Sequence, residues 1–189
     1  RDSLILLSSF EFYRRWCIPN FLPKNFQILD CYYAGAKTDE DRHILTMMAN
    51  DFEDYMFNSG PFSKRFHDSF GKDVPNDYPQ HVMEAHGLAH VHIFDAEAMT
   101  DKAIEDWDKN NFPRRFIGRR GTSDLCMVYT LGSEGTVLLL AFFAPPAHEK
   151  HGDSDYINTL IRAANDFFHE QDNDEYVLPR SRILDILAA

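Results

Sequence analysis

The chain has 189 residues, of which 44% are hydrophobic and 14% aromatic, a composition that excludes a disordered polymer and suffices for one packed domain with appendages. Its net charge of -11 argues against a general nucleic-acid binder, because such proteins carry basic surfaces that neutralise phosphates. No apolar run approaches the roughly 18 residues of a membrane span. Three cysteines without CxxC spacing, and an opening that lacks a signal-peptide pattern, predict a cytoplasmic protein with reduced thiols and no membrane contact.

The first third of the chain contains one strong helical pattern. Thr38 and Asp41 have the spacing of a capping box, and apolar residues then recur at helical intervals, which predicts a helix over about residues 39–58. The preceding residues, 1–40, hold two apolar segments around a turn that contains proline and asparagine. We interpret them as an N-terminal extension that packs on or beside the core.

The segment after the first predicted helix contains glycine and proline punctuation. Residues 61–70 predict a second short helix, closed by Gly71 in a conformation with positive φ. Prolines then interrupt residues 73–79, which predicts a loop. Residues 100–110 predict a polar helical segment that carries Trp107.

An alternating segment at residues 88–94 predicts a strand that carries two histidines. Residues two apart in a strand project from the same face, so His90 and His92 should lie side by side, above a packed layer formed by the other face. Two imidazoles on one surface are the first candidate functional residues. A single histidine in this position would more simply be a hydrogen-bonded strand residue.

The second half predicts a hairpin followed by helices. Residues 125–131 and 136–144 read as strands joined by a Gly-Ser-Glu-Gly turn, and the second strand is apolar on both faces, so it should lie centrally. Residues 155–169 form an amphipathic helical pattern, and an acidic linker precedes a terminal helix at about residues 179–189. The sum is an α+β domain in which helices pack on an antiparallel sheet.

Positive charge is concentrated in one stretch, residues 112–122, which contains four arginines and no acid. An arginine fork pairs two phosphate oxygens at once, so a basic loop beside the histidine face could hold a phosphate backbone. The simpler alternative is a solvated loop. The four arginines are Arg114, Arg115, Arg119 and Arg120.

Six short stretches together resemble the YafO family of type II toxin–antitoxin toxins, in order and spacing, over roughly residues 42–169. They are FGKD (70–73), AHVHI (89–93), TSD (122–124), LCMVY (125–129), PPAH (145–148) and AANDFF (163–168). The resemblance implies a compact RelE-like fold and a ribosome-dependent mRNA interferase that acts on mRNA without a cofactor and is silenced by a cognate antitoxin. It further suggests a toxin domain at 41–170 followed by an acidic linker and short helix at 171–189, and it leaves open a homo-oligomer.

RNA cleavage by the neighbouring 2′-hydroxyl needs a proton acceptor, a proton donor and cations on the phosphate, and it requires no metal. Histidine suits the proton transfers because its ordinary pKa is near 6.5. The predicted catalytic residues are His90, His92, Asp124, Tyr129 and His148. Asp124 would orient a histidine, although it could simply close a turn, and Tyr129 would contact phosphate or base, although it could equally be a core residue.

Two other functions remain open from the sequence. A cluster of histidines could hold Zn²⁺ or Fe²⁺ in a metal-dependent hydrolase, although no ligand frame such as HExxH is present. Its members would be His81, Glu84, His86, His90 and His92, with His148 and His151. The acidic surface is also compatible with an inactive toxin relative that works as a binding or regulatory protein.

Overall fold

Five runs of apolar or alternating residues form one sheet, with the strand order β1-β5-β4-β3-β2. The computed structural model describes residues 21–58, 60–65, 67–111, 121–171 and 174–189. The strands are β1 (Asn25–Ile28), β2 (Phe70–Pro75), β3 (Ala89–Ile93), β4 (Cys126–Leu131) and β5 (Thr136–Phe143). The helices are α1 (Asp39–Phe57), α2 (Gln80–Met83), α3 (Asp101–Asn111), α4 (Ala147–Gly152), α5 (Ser154–Glu170) and α6 (Arg180–Ala188). The α+β class predicted from the sequence is confirmed.

The pairing of β2, β3, β4 and β5 is antiparallel, as predicted, whereas β1 pairs with β5 in parallel. The sheet is therefore mixed, which the sequence did not predict. Placing β1 and β4 on its two sides makes β5 an interior strand, and seven of its eight residues are buried. This confirms the central position expected from its doubly apolar pattern.

Local signals placed α1 correctly. The Thr38 hydroxyl accepts a hydrogen bond from the Asp41 amide at 3.0 Å, and the Asp41 carboxylate accepts one from the Thr38 amide at 3.0 Å. These two bonds satisfy free amides of the first turn, and three acidic residues there favour the positive end of the helix dipole. The predicted capping box and helix are confirmed.

The prediction for residues 61–70 is wrong. Among the described residues of this stretch, 61–65 and 67–70, the one helical element is a 3-10 turn at Phe62–Lys64, and β2 begins at Phe70 and includes Gly71. The residues described with positive φ include Gly60 and Gly135 but not Gly71. A Cβ on Gly71 would collide with the Gly121 carbonyl oxygen and the Trp107 ring, so glycine is needed here for close approach rather than for a turn. The loop predicted for 73–79 likewise begins later, because β2 continues to Pro75.

Two apolar layers enclose the sheet. On one face, α1 and α6 cover residues such as Val91, Tyr129 and Leu139. On the other, α5 covers residues such as Val128 and Leu140. Alternate residues of each strand serve opposite layers, which is the period-2 rule expressed in packing. No helix in the part of the chain that the structure describes is long and apolar enough to cross a membrane.

The C-terminal segment is tied to the hairpin between β4 and β5. Buried Glu175 accepts hydrogen bonds from the backbone amides of Glu134 and Thr136, and from the Thr136 hydroxyl at 2.7 Å. Val177 forms a bridge to Gly132, and α6 follows directly. The terminal helix predicted at 179–189 is therefore confirmed, and one acid of the charged tail serves as a structural acceptor.

Candidate active site

The histidine pair lies where the strand pattern predicts. His90 and His92 project from one face of β3, with ring centroids 5.2 Å apart, and His92 is only 6% exposed. Their neighbours Ala89 and Val91 point into the opposite apolar layer. The two imidazoles therefore stand on the α5 side of the sheet, close to its β2 edge.

Helix α4 brings two more histidines onto this surface. β5 ends at Phe143, and the Pro-Pro turn that follows directs α4 across the ends of β3 and β4. The His148 ring centroid lies 6.2 Å from that of His92, and the His151 centroid lies 4.3 Å from that of His90. Four imidazoles, from residues up to 61 positions apart in the chain, thus form one cluster, which we call the histidine cluster (His90, His92, His148 and His151).

Asp124 and His148 form a close pair at the exposed side of the cluster. Oδ1 of Asp124 lies 2.6 Å from Nδ1 of His148 and also accepts the His148 backbone amide at 3.2 Å. This hydrogen bond lowers the pKa of Asp124, so the carboxylate is charged at neutral pH. A carboxylate that accepts a hydrogen bond from Nδ1–H orients the ring, and in this exposed side chain Nε2 is left to exchange a proton.

The backbone of Ser123 holds the His92 ring. Nδ1 of His92 lies 2.8 Å from the Ser123 carbonyl oxygen and 3.2 Å from its amide nitrogen. A protonated Nδ1 donates to the carbonyl, and a bare Nδ1 accepts from the amide, so Ser123 supports either tautomer. Ser123 and Asp124 are adjacent, and the short segment before β4 therefore positions two members of the cluster.

Burial keeps the inner imidazoles neutral. Desolvation, followed by the nearby imidazoles, lowers the pKa of His90 to about 2, and desolvation lowers that of His151 to about 4. Burial also lowers the pKa of His92, against the raising effect of the Ser123 hydrogen bond. Below about pH 6.5 these histidines bind protons in the unfolded chain but stay neutral in the folded chain. The free energy of unfolding therefore decreases as the pH falls below about 6.5.

One positively charged side chain, that of Lys72, acts on the histidine cluster. Exposed Lys72 on β2 is among the charges that lower the pKa values of His90 and His92, so its positive charge acts on both rings. The Lys72 backbone amide donates to the Gly121 carbonyl at 2.8 Å. Lys72 belongs to the FGKD stretch, but its role near the histidines could not be inferred from the sequence, because β2 was read partly as a loop.

The four predicted arginines, Arg114, Arg115, Arg119 and Arg120, lie outside the described residues. The flanking residues are described: α3 ends at Asn111, and the chain resumes at Gly121, which packs beside Trp107 and β2. Gly121 stands only two positions before Ser123. The arginine stretch therefore joins the site region at its C-terminal end.

Tyr129 does not join the histidine cluster. It is fully buried in the opposite apolar layer, where its hydroxyl donates to Asp73 at 2.7 Å and its ring contacts Phe52. Burial raises its pKa well above 10. The structure thus corrects its assignment to this site, because the period of two along β4 turns residue 129 away from the face that holds Cys126 and Val128.

The sequence also missed a buried amide. Asn76, 4% exposed, accepts from or donates to two members of the cluster: its Oδ1 lies 2.6 Å from Nδ1 of His90, and its Nδ2 lies 3.4 Å from Nδ1 of His151. Nε2 of His151 lies 3.1 Å from the Cys126 sulfur. No local pattern marks Asn76, which sits in a proline-punctuated segment and reaches the histidines only through tertiary packing.

The alternative of a metal centre can be compared with the geometry of the cluster. Among residues 21–58, 60–65, 67–111, 121–171 and 174–189, no three His, Cys, Asp or Glu side chains converge as a metal ion would require. Hydrogen-bond partners already engage one ring nitrogen of each histidine in the cluster.

Comparison with known families identifies the chain's relatives. A family model described as toxin YafO, of a type II toxin–antitoxin system, matches residues 57–170, more than half of the chain. The chain belongs to the YafO family. It is therefore a toxin of a type II toxin–antitoxin system, and its family implies a cognate antitoxin as partner.

The YafO match contains the whole histidine cluster together with Asp124, Asn76 and Lys72. It leaves out β1, nearly all of α1, and α6. Comparisons with curated proteins and with solved structures give no match, so the predicted likeness to RelE-type endoribonucleases stays a prediction.

Proposed function

We propose that this YafO toxin is an endoribonuclease that cleaves mRNA on the ribosome and thereby blocks translation. The observation that carries the proposal is the Asp124–His148 pair standing 6.2 Å, ring to ring, from the neutral, buried His92. Two imidazoles in unlike surroundings are what an acid and a base require when both must work at one pH. Because mRNA and ribosomes are the substrate and platform, the proposal places the protein in the cytoplasm.

His92 acts as the base in this mechanism. It removes the proton from the 2′-hydroxyl, whose oxygen then attacks the neighbouring phosphorus. Its lowered pKa keeps the ring neutral and able to accept a proton at neutral pH. The Ser123 carbonyl, 2.8 Å from Nδ1, accepts a hydrogen bond from Nδ1–H and stabilises the imidazolium that forms.

His148 acts as the acid. As the bond from phosphorus to the 5′-oxygen breaks, Nε2 of His148 donates a proton to that leaving oxygen. The Asp124 carboxylate accepts a hydrogen bond from Nδ1 of the ring and fixes the direction of the ring throughout. The exposure of both side chains, 71% for His148 and 42% for Asp124, gives a long RNA strand access to this side of the cluster.

Cations complete the proposed site. Lys72 and the arginine stretch at 112–122, which ends directly before Ser123, contact the scissile and flanking phosphates, and they offset the negative potential of an acidic protein. The YafO antitoxin, in this view, silences the toxin by covering the surface around the cluster. A homo-oligomer is not needed for the chemistry.

Expression of the chain without its antitoxin is expected to stop growth by arresting protein synthesis. The reason is that each cleaved mRNA ends one round of translation, so a small number of toxin molecules suffices. Incorporation of labelled methionine should collapse within minutes, and primer extension should reveal new 5′ ends in mRNA. Undiminished synthesis at verified levels of folded protein would falsify the toxin activity, while arrest without new ends would leave a binding-only inhibitor.

Chelation is expected to leave RNA cleavage unchanged. Activation of the 2′-hydroxyl by imidazoles needs no Lewis acid, and the hydrogen bonds on one nitrogen of each ring compete with metal ligation. The measurement is cleavage rate before and after EDTA, with elemental analysis of the purified protein. One equivalent of zinc or iron, lost together with activity, would instead support the metal-dependent hydrolase.

Replacing Arg119 and Arg120 together by Ala is expected to weaken RNA binding and to flatten its dependence on salt. Each phosphate contact that is lost lowers the slope of log K against log salt by about one unit. A salt titration of binding to a single-stranded RNA measures this slope. The matched control is Arg182→Ala on α6, which removes an arginine that pairs with Asp185 at 3.8 Å. Equal slopes for wild type and the double variant would make the stretch a solvated loop.

A further inference from the structure

The backbone of Asn76 is held by two hydrogen bonds, and the residue that follows it is held by an ion pair. Its backbone amide donates to the Leu88 carbonyl at 2.8 Å, one residue before β3. Its backbone carbonyl accepts from Nε of Arg180 at 3.0 Å. The Arg180 guanidinium also pairs with the Asp77 carboxylate. The buried side chain lies with Oδ1 toward one imidazole of the cluster and Nδ2 toward another.

The Asn76 side chain imposes a direction on the protons of two histidines. Its oxygen can only accept, so Nδ1 of His90, 2.6 Å away, carries a proton and Nε2 of His90 is bare. Its nitrogen can only donate, so Nδ1 of His151, 3.4 Å away, is bare. The proton of His151 then resides on Nε2, which donates to the Cys126 sulfur at 3.1 Å. Burial raises the pKa of Cys126 to about 12, which keeps that sulfur a neutral acceptor.

The residue that holds Asn76, Arg180, lies outside the part of the chain that matches the toxin family. Arg180 is the first residue of α6, which lies beyond the family match at residue 170. Leu178, just before α6, is joined to Leu131 and Gly87 by backbone hydrogen bonds of 2.9 Å each. The C-terminal segment is thereby anchored to the sheet on one side and holds Asn76 on the other.

We propose that Asn76, held by Arg180 of the C-terminal helix, is a positioning residue that sets the tautomers of His90 and His151. This inference rests on the proposed function only for its consequence in catalysis. Burial keeps His90 neutral, and Asn76 fixes its proton on Nδ1, so that an uncharged ring of one defined tautomer lies 5.2 Å from His92. A charged His90 at that distance would repel the imidazolium that His92 must become.

The tautomers can be measured without any RNA. Nitrogen-15 spectra of the full-length chain, labelled at histidine, distinguish a protonated ring nitrogen from a bare one. We expect His90 to be protonated at Nδ1 and His151 at Nε2. In Asn76→Asp, both oxygens accept, so His151 should move its proton to Nδ1 while His90 stays unchanged. A wild-type His90 protonated at Nε2, or an Asn76→Asp spectrum identical to wild type at His151, would overturn the assignment.

The contribution of α6 is tested with paired arginine variants. Arg180→Ala is expected to broaden or split the His90 and His151 nitrogen signals, because Asn76 loses one of its anchors. Arg182→Ala, on the same helix but paired with Asp185, should leave both signals unchanged. Because Arg180 is half-exposed, its variant keeps the test open if Asn76→Ala fails to fold. Identical spectra for the two arginine variants would remove α6 from the proposal.

Cleavage assays then connect the tautomers to catalysis. Asn76→Ala is expected to lower single-turnover cleavage by about 10- to 100-fold, as for other residues that orient imidazoles, and to change its pH profile while RNA binding is retained. A wild-type rate in a variant whose tautomers are lost would overturn the positioning role. An absence of cleavage by wild type would contradict the endoribonuclease proposal alone, since the spectra report the hydrogen-bond network independently.

Discussion

Replacing His148 by Ala is expected to slow RNA cleavage by about 10²–10⁴-fold while RNA affinity stays near that of wild type. The substitution removes the group that protonates the leaving oxygen, whereas the phosphate contacts lie on other residues. Because the His148 side chain is exposed, the free energy of unfolding should hardly change. Single-turnover cleavage, measured beside a binding titration, separates the chemical step from affinity.

Two companion variants sharpen this result. Asp124→Asn keeps the shape of the side chain but removes the charged acceptor that orients the His148 ring, so it should share the rate loss. Tyr129→Phe is the control, because its hydroxyl contacts Asp73 in the opposite apolar layer and should matter for stability alone, by about 1 kcal/mol. If His148→Ala and His92→Ala both cleave at the wild-type rate, the cluster is structural and the active site lies elsewhere.

The acid side of the pH profile tests the role of His92. Burial lowers its pKa, so the ring should remain a working base below pH 6.5, where an ordinary histidine is already protonated. Cleavage by wild type should therefore persist below pH 6.5 and fall only at the lower pKa of the buried ring. An activity that is halved at pH 6.5 would contradict the assignment of the buried histidine as the base.

Phe52→Ala is expected to destabilise the fold by about 3–5 kcal/mol, as for other large core aromatics. Phe52 on α1 is fully buried and makes ring contacts with Phe26, Tyr55, Phe70 and Tyr129. The lost contacts span the helix and the strands β1, β2 and β4. Urea unfolding gives the change, and such a loss is large against the 5–15 kcal/mol that typically stabilises a domain.

The matched control is Phe57→Ala, the same substitution in the last turn of the same helix. Phe57 is 39% exposed, and we expect a loss of about 1 kcal/mol or less. The comparison has a structural purpose, because all of α1 except its last residue precedes the YafO match, which begins at residue 57. Similar small losses for both variants would indicate that residues 57–170 fold without α1, against the toxin domain that we propose for 41–170.

Whether a sequence-based prediction is confirmed depends on how far apart in the chain the interacting residues are. The capping box at Thr38, the turn at 132–135 and the alternation at 89–93 each occupy a few residues, and all three form as predicted. The error at 61–71 arose from the same kind of reasoning. Gly71 follows the pattern of a glycine at a helix C-terminus, but it lies in a strand, where it accommodates Trp107 and Gly121. No local pattern encodes the approach of these two residues.

The candidate site divides in the same way. The sequence singled out His90, His92, Asp124 and His148, because residue chemistry and strand period are local properties. It could not separate Tyr129 from them. Which residues of β4 lie on the same face as the histidines depends on the register of β4 against β3, and this register places Val128 beside His90. The sequence indicated His151 only as a possible metal ligand and missed Asn76, and these two residues reach His90 across 61 and 14 positions.

The family resemblance, the α+β class and the residue types able to transfer protons to and from a phosphate ester could all be predicted from the amino-acid sequence. Three features become visible in the folded chain alone: α4 crosses the end of β3, Ser123 and Asp124 each hold one imidazole, and Arg180 anchors Asn76 from the C-terminal helix. The physical reason is that periodicity and capping act within one element. The burial that lowers the pKa values of His90 and His151 exists only after distant elements have packed together.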